Sequence, residues 1–239
     1  VILMTVSAMA QTMPVAQARP DERAAFIRKT YGHLAGAVAA FVGLEFVLLR
    51  SALAPAMMKF IAGGSYRWLM VLGLFIVSGW LARGLAANAG SPAVQYAGLA
   101  CYVAAEAVIF VPILYIAMHY SSRDVIPTAA LLTGGLFAGL TTVAFVTRKD
   151  FSFLKGVLVI GGFVALGLIV CAAVFGFKLG LVFSVVMVGL ASAAILYDTS
   201  KIIHSYSTEQ HVAAALELFA SVALLFWYVL RIVMSMSRD

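Results

Sequence analysis

Four carboxylic acids, Glu45, Glu106, Asp198 and Glu217, stand inside runs of apolar residues, and an arginine, Arg83, stands near the end of another. An ionisable group in such a run is costly and is a functional candidate by default. Carboxylates offer proton exchange and cation binding, and an arginine can pair with them. Counting about 1.5 Å per helical residue, Asp198 and Glu217 lie about five or six residues on either side of a polar loop, so both are expected roughly 8 Å inside the same edge of a membrane. Arg83 falls near that face. Two acids and a base at one level on three helices make an internal ion-paired site. Two neighbouring carboxylates do not readily ionise together, so this pair is expected to titrate as a unit. Glu45 and Glu106 are about twelve and thirteen residues into their spans, near the midplane by the same count. Desolvation there favours a neutral carboxyl, which could also simply hydrogen-bond a neighbouring helix.

The other reactive residue types point to little chemistry. His33, His119, His204 and His211 are scattered over loops and span ends without zinc-ligand spacing. Cys101 and Cys171 both fall in apolar runs and are expected to be small buried hydrophobes, without a disulfide. Gly32, Gly36, Gly43, Gly134, Gly135 and Gly139 are expected to let helices approach closely. Tyr66, Trp68, Trp227 and Tyr228 read as interface anchors or packing groups. No cofactor is implied.

The elements that position these groups follow from composition. Hydrophobic residues make up 64% of 239 positions and charged residues 11%, with a mean hydropathy of +1.05. A soluble domain carries about 25% charged residues, so lipid must cover this surface. The net charge of +6 is spread too sparsely for nucleic acid and suits loops facing anionic lipid. A spanning helix needs about 20 mostly apolar residues, and seven segments qualify: 33–53, 66–87, 93–118, 126–147, 154–176, 178–198 and 212–234. Pro112 is expected to bend the third. The short turn at 176–178 makes spans five and six an antiparallel hairpin, and 199–211 is the most polar loop. Residues 1–30 read as a cytoplasmic tail, a mobile arm leading into a short amphipathic helix. Their order of apolar and charged residues is wrong for a cleavable signal. Residues 31–234 form the membrane domain and 235–239 a C-terminal tail. With the N-terminus in the cytoplasm, nine of the sixteen Lys and Arg residues fall inside, and the cluster before span one supports that orientation. The fold class is therefore an all-α polytopic membrane protein with seven transmembrane helices.

Several stretches carry a family resemblance. Ile195-Leu-Tyr-Asp-Thr-Ser-Lys-Ile-Ile-His204 resembles the signature that closes the sixth span of Bax inhibitor-1 proteins. Thr147-Arg-Lys-Asp-Phe-Ser-Phe-Leu154 is similar to the family's loop between spans four and five, and Ala215-Leu-Glu-Leu-Phe, with Leu225-Phe226 and Leu230-Arg231, to its seventh span. Arg28-Lys29-Thr30-Tyr31 is also similar, so the likeness covers residues 28–234. It implies a central C-terminal helix wrapped by the other six, in a bacterial inner membrane, and a pH-sensitive calcium leak. It also implies an aspartate on each of the last two spans and an arginine latch after span two. Asp198 matches the first aspartate and Arg83 the latch, expected to pair with Asp198. The second aspartate position falls on Ser221, and Glu217, one turn earlier on the same face, is expected to supply the missing carboxylate.

Three functions compete. The first is a calcium-permeable leak gated by protonation of Asp198 and its partner, with calcium as permeant and only transiently at Asp198. The second is a non-conducting regulator or partner of a membrane quality-control protease. The third, an intramembrane aspartyl protease, needs a Gly-x-Gly-Asp setting on the next span. The seventh span contains neither glycine nor aspartate, so no enzyme is expected.

Overall fold

A computed structural model describes residues 14–87 and 91–237. After a single 3-10 turn, Val15–Gln17, these residues form eight α-helices: α1 Pro20–Arg50, α2 Leu53–Ile61, α3 Ser65–Ala86, α4 Pro92–Tyr120, α5 Val125–Thr147, α6 Leu154–Phe175, α7 Leu181–His204 and α8 His211–Met236. All but α2 are long and apolar enough to cross a membrane. One end of the bundle, here the N-side, holds the start of α1 and the loops 148–153 and 205–210. The opposite end is the C-side.

The C-terminal helix α8 is central, as the resemblance implies, and packs against α7, α1, α5 and α4. Its interior face runs from Val212 and Leu216 through Leu225 to Leu230, all buried. Helix α4 shares the interior and is as deeply buried as α8. Phe110 of α4 stacks on Phe226 at 5.7 Å and meets the edge of Trp227 at 5.0 Å. Helix α6, the most apolar, is the most peripheral and packs on α7 and α3. An all-round apolar helix gains nothing from water exclusion at one face and rests in lipid.

Several boundaries differ from expectation. Among the described residues, no separate amphipathic helix precedes the first span. One continuous helix starts at Pro20, whose missing N–H and fixed φ suit a first position, with Asp21 and Glu22 complementing the helix dipole. The chain before it is docked where it is described. Val15 is fully buried, and its backbone N–H donates to the Tyr206 carbonyl at 2.7 Å. The remaining part of the expected arm, 1–13, lies outside the described residues. Helix α7 runs on to His204, so the polar loop is only 205–210. Helix α2 fills what reads as a loop and packs on α1, α3 and α4 at the C-side. Gly176, at φ 75°, closes α6 in the left-handed conformation and starts the α6–α7 hairpin.

The glycines Gly32, Gly36, Gly43, Gly134, Gly135 and Gly139 have open space where a Cβ would stand. They face outward rather than permitting close helix crossings. Cys101 and Cys171 are free thiols on outward faces, not buried ones. In a membrane bundle an apolar run does not distinguish lipid-facing from core-facing positions, because both are apolar.

Candidate functional site

The close crossing falls at a different glycine. A Cβ on Gly98 would stand 2.7 Å from the Ala82 carbonyl oxygen and from the Ala86 nitrogen, so α4 lies directly against the last turn of α3. Those residues flank Arg83, and the crossing brings its guanidinium over the Tyr102 ring at 5.3 Å. Arg83 Nε then lies 3.7 Å from Glu217 Oε1. Both side chains keep substantial exposure, 42% and 32%, so this ion pair faces open space.

On the next helix Asp198 is 5% exposed. Ser221 donates its hydroxyl proton to Asp198 Oδ2 at 2.6 Å, the shortest contact between α7 and α8 side chains among those described. Asp198 is six residues from the end of α7 and Glu217 six residues from the start of α8, which puts both about 9 Å from their N-side ends. The common depth is as the sequence predicts. The partnership differs: Arg83 pairs with Glu217, and among the described residues no ion pair joins Arg83 to Asp198. Glu217 lies one turn nearer the N-side than Ser221, level with the end of α3, and therefore meets the arginine first.

Arg83, Glu106, Asp198, Glu217 and Ser221 all line one cavity of about 1110 Å³. Glu106 sits midway along α4, is 5% exposed, and takes the Tyr102 hydroxyl one turn earlier as its hydrogen-bond donor. The cavity continues between α3 and α6 to the C-side, where Trp68 and Trp227 stack at 6.2 Å. It ends near Arg231, which donates to the Leu179 carbonyl at 3.1 Å. Carboxylates thus occupy the N-side and the middle, an aromatic pair follows, and a guanidinium stands at the far end.

Glu45 does not join this group. It is buried, it does not line the cavity, and neither carboxyl oxygen has a hydrogen-bond partner among the described residues. It also lies five residues from the C-side end of α1 rather than near the midplane, because α1 ends at Arg50. Calcium takes 6–8 oxygen ligands, whereas the described residues hold no cluster of three or more His, Cys, Asp or Glu that could retain a metal ion. The geometry offers a cation successive contacts rather than a resident cage.

A polar clasp lies below the site, and sequence reasoning missed it. Phe151 N–H donates to Ser200 Oγ at 3.0 Å, Ser152 N–H to Asp150 Oδ1 at 2.9 Å, and His204 Nδ1 lies 3.0 Å from the Ser200 carbonyl. The clasp ties the 148–153 loop to the last turns of α7, which carry Asp198. The Ser152 backbone N–H holds the Asp150 carboxyl below the usual range. Burial pushes the Tyr206 hydroxyl, in the neighbouring loop, above its ordinary value. The signal was available: Asp150 and Ser200 stand in the two stretches, 147–154 and 195–204, that carry the resemblance.

Comparison with known proteins identifies the family. Residues 23–239 match the family described as Inhibitor of apoptosis-promoting Bax1. The chain belongs to the Bax inhibitor-1 family. Among similar family proteins, Bax inhibitor 1 of Schizosaccharomyces pombe is 29% identical over 229 residues, covering 92% of this chain and 80% of the relative. The Modulator of FtsH protease YccA of Escherichia coli is 35% identical over 129 residues, covering 54% of this chain and 58% of the relative. An uncharacterized protein of Pseudomonas aeruginosa is 38% identical over 110 residues, 46% of this chain and 49% of the relative. The match therefore spans about half the length of these last two relatives. The protein is a multi-pass membrane member of the Bax inhibitor-1 family.

Proposed function

We propose that this protein is a pH-sensitive cation leak with calcium as the permeant ion, needing no cofactor and catalysing no reaction. One observation carries the reading: Asp198, Glu217, Glu106 and Arg83, from α7, α8, α4 and α3, all line a single cavity running most of the bundle's length. Carboxylates in a partly dry cavity attract cations strongly, because the effective dielectric is low. Protonation removes that attraction, so flux follows the charge of Asp198 and Glu217. Arg83 competes with the cation for Glu217, and breaking the 3.7 Å pair opens the N-side end. The test is purified protein in calcium-loaded liposomes. Wild-type vesicles leak in a pH-dependent way, while Asp198→Asn vesicles stay tight. Equal tightness of both across pH 5–8 overturns the proposal.

A second reading is favoured by the E. coli relative, whose name is Modulator of FtsH protease. On this reading the chain binds a membrane protease without conducting ions. Co-purification with such a protease that survives Asp198→Asn, combined with tight liposomes, selects it. Both readings place the protein in a bacterial inner membrane with the N-side facing the cytoplasm. Reporter fusions at the 205–210 loop test that orientation, and reporter activity characteristic of the opposite compartment reverses it.

A further inference from the structure

Two histidines that stand 178 positions apart in the sequence meet at the N-side of the bundle. His33 of α1 and His211, the first residue of α8, have ring centroids 5.0 Å apart. His33 Nδ1 lies 2.6 Å from the Lys29 carbonyl, one turn earlier on its own helix. A carbonyl only accepts, so Nδ1 carries the proton and Nε2 presents a lone pair. That lone pair faces the Tyr96 hydroxyl of α4 at 3.0 Å. His211 Nδ1 is buried and, among the described residues, makes no hydrogen bond of ordinary geometry, although the Thr208 backbone acts on the ring. A buried polar atom without a partner is unusual and calls for an explanation.

We propose that His33 and His211, with Tyr96 or water completing the shell, bind a borderline divalent transition-metal ion such as zinc between α1, α4 and α8. The spacing fits: two imidazoles on one tetrahedral ion, each nitrogen about 2.1 Å from the metal, hold their ring centres about 5 Å apart. The anchored Nδ1–H of His33 is the outer hydrogen bond that orients metal-binding histidines and fixes their tautomer. Imidazole nitrogens suit zinc, copper and nickel, whereas calcium prefers oxygen, so this site is chemically separate from the acidic cavity. It differs from a cluster of three or more His, Cys, Asp or Glu, which the described residues lack. Two protein imidazoles leave room for exchangeable water, which gives reversible binding. The Lys29 ammonium, which also acts on His211, is exposed, where water screens its charge. Because His211 precedes Glu217 by six residues on α8, a bound ion would pin the N-side ends of three helices next to the acidic site.

The test titrates full-length protein, without a polyhistidine tag and reconstituted in lipid nanodiscs, with zinc chloride. Saturable binding of one ion per chain is expected, with a rise in Tm because the ion binds the folded state. His33→Gln and His211→Gln should each weaken binding by about tenfold or more, Tyr96→Phe by less. His119→Gln, at the opposite end of the bundle, should leave affinity unchanged. No saturable binding by the wild-type protein overturns the proposal. So does an affinity unchanged in the His33→Gln/His211→Gln double variant, which would mean an adventitious ion only. If a variant fails to fold, copper(II) paramagnetic resonance on the unsubstituted protein decides. Coupling to two imidazole nitrogens supports the site, and coupling to one or none overturns it.

Discussion

Asp198 and Glu45 are buried to the same degree, each 5% exposed on a long apolar helix, yet their surroundings differ in every other respect. Asp198 receives the Ser221 hydroxyl at 2.6 Å and lines the large cavity. Among the described residues Glu45 has no hydrogen-bond partner on either oxygen, and it does not line the cavity. Burial of an acid in a membrane helix does not by itself mark a site. What distinguishes Asp198 is a partner that holds its oxygen in place and an open volume beside it.

The contrast is broken or sharpened by six substitutions. The largest effect is expected at Asp198. Asp198→Asn should lower calcium flux in liposomes about tenfold or more, the loss expected when a carboxylate within a few ångströms of a cation is neutralised. Glu45→Gln should leave flux within about twofold. Equal losses from the two substitutions would erase the distinction.

The next effect is on stability, and its sign separates the two acids. Ser221→Ala leaves Asp198 buried without its donor and should destabilise the protein by about 1–3 kcal/mol. Glu45→Leu removes an unpartnered buried carboxyl and should stabilise it by a similar amount, about 1–3 kcal/mol. Thermal unfolding in detergent reads both. A Glu45→Leu protein that melts earlier than wild type would show that Glu45 has a stabilising role which its contacts do not reveal.

A smaller change is expected at the ion pair. Arg83 and Glu217 are both about a third exposed or more, and such pairs contribute about 0.2–1 kcal/mol. Arg83→Ala should therefore raise basal leak by up to about fivefold, since 1 kcal/mol is about a factor of five. In a double-mutant cycle the coupling should appear between Arg83 and Glu217 more strongly than between Arg83 and Asp198. The reverse ranking would restore the pairing that the family resemblance implies.

The smallest effect concerns the clasp. The Asp150 carboxyl is held below its usual range by the Ser152 N–H. Its stabilising contribution is thus present above the ordinary carboxylate pKa of about 4 and is lost as pH falls through the lower folded value. Asp150→Asn should flatten that acid limb of a stability-against-pH curve by slightly lowering stability near pH 7, where the carboxylate's contribution is present, and should leave stability in acid almost unchanged. Unchanged stability at pH 7 would mean that the acceptor oxygens, rather than the carboxylate's charge, hold the loop.

Composition and segment length determined the class of this protein by themselves. Seven apolar runs of about 20 residues can satisfy their backbone hydrogen bonds in lipid only as helices, and all seven are there. The common depth of Asp198 and Glu217 was also legible, because helical rise converts residue count into distance. Which charge meets which was not. Arg83 reaches Glu217 only because Gly98 lets α4 lie against the last turn of α3, and helix rotation and crossing are set by packing rather than by rise. The glycines legible as a packing stripe face outward, since lipid and protein interior select the same apolar residues. The meeting of His33, Tyr96 and His211 is likewise a product of the bundle. Spacing along a chain shows only neighbours on one helix, while a site shared by α1, α4 and α8 exists only once those helices have closed around a common axis.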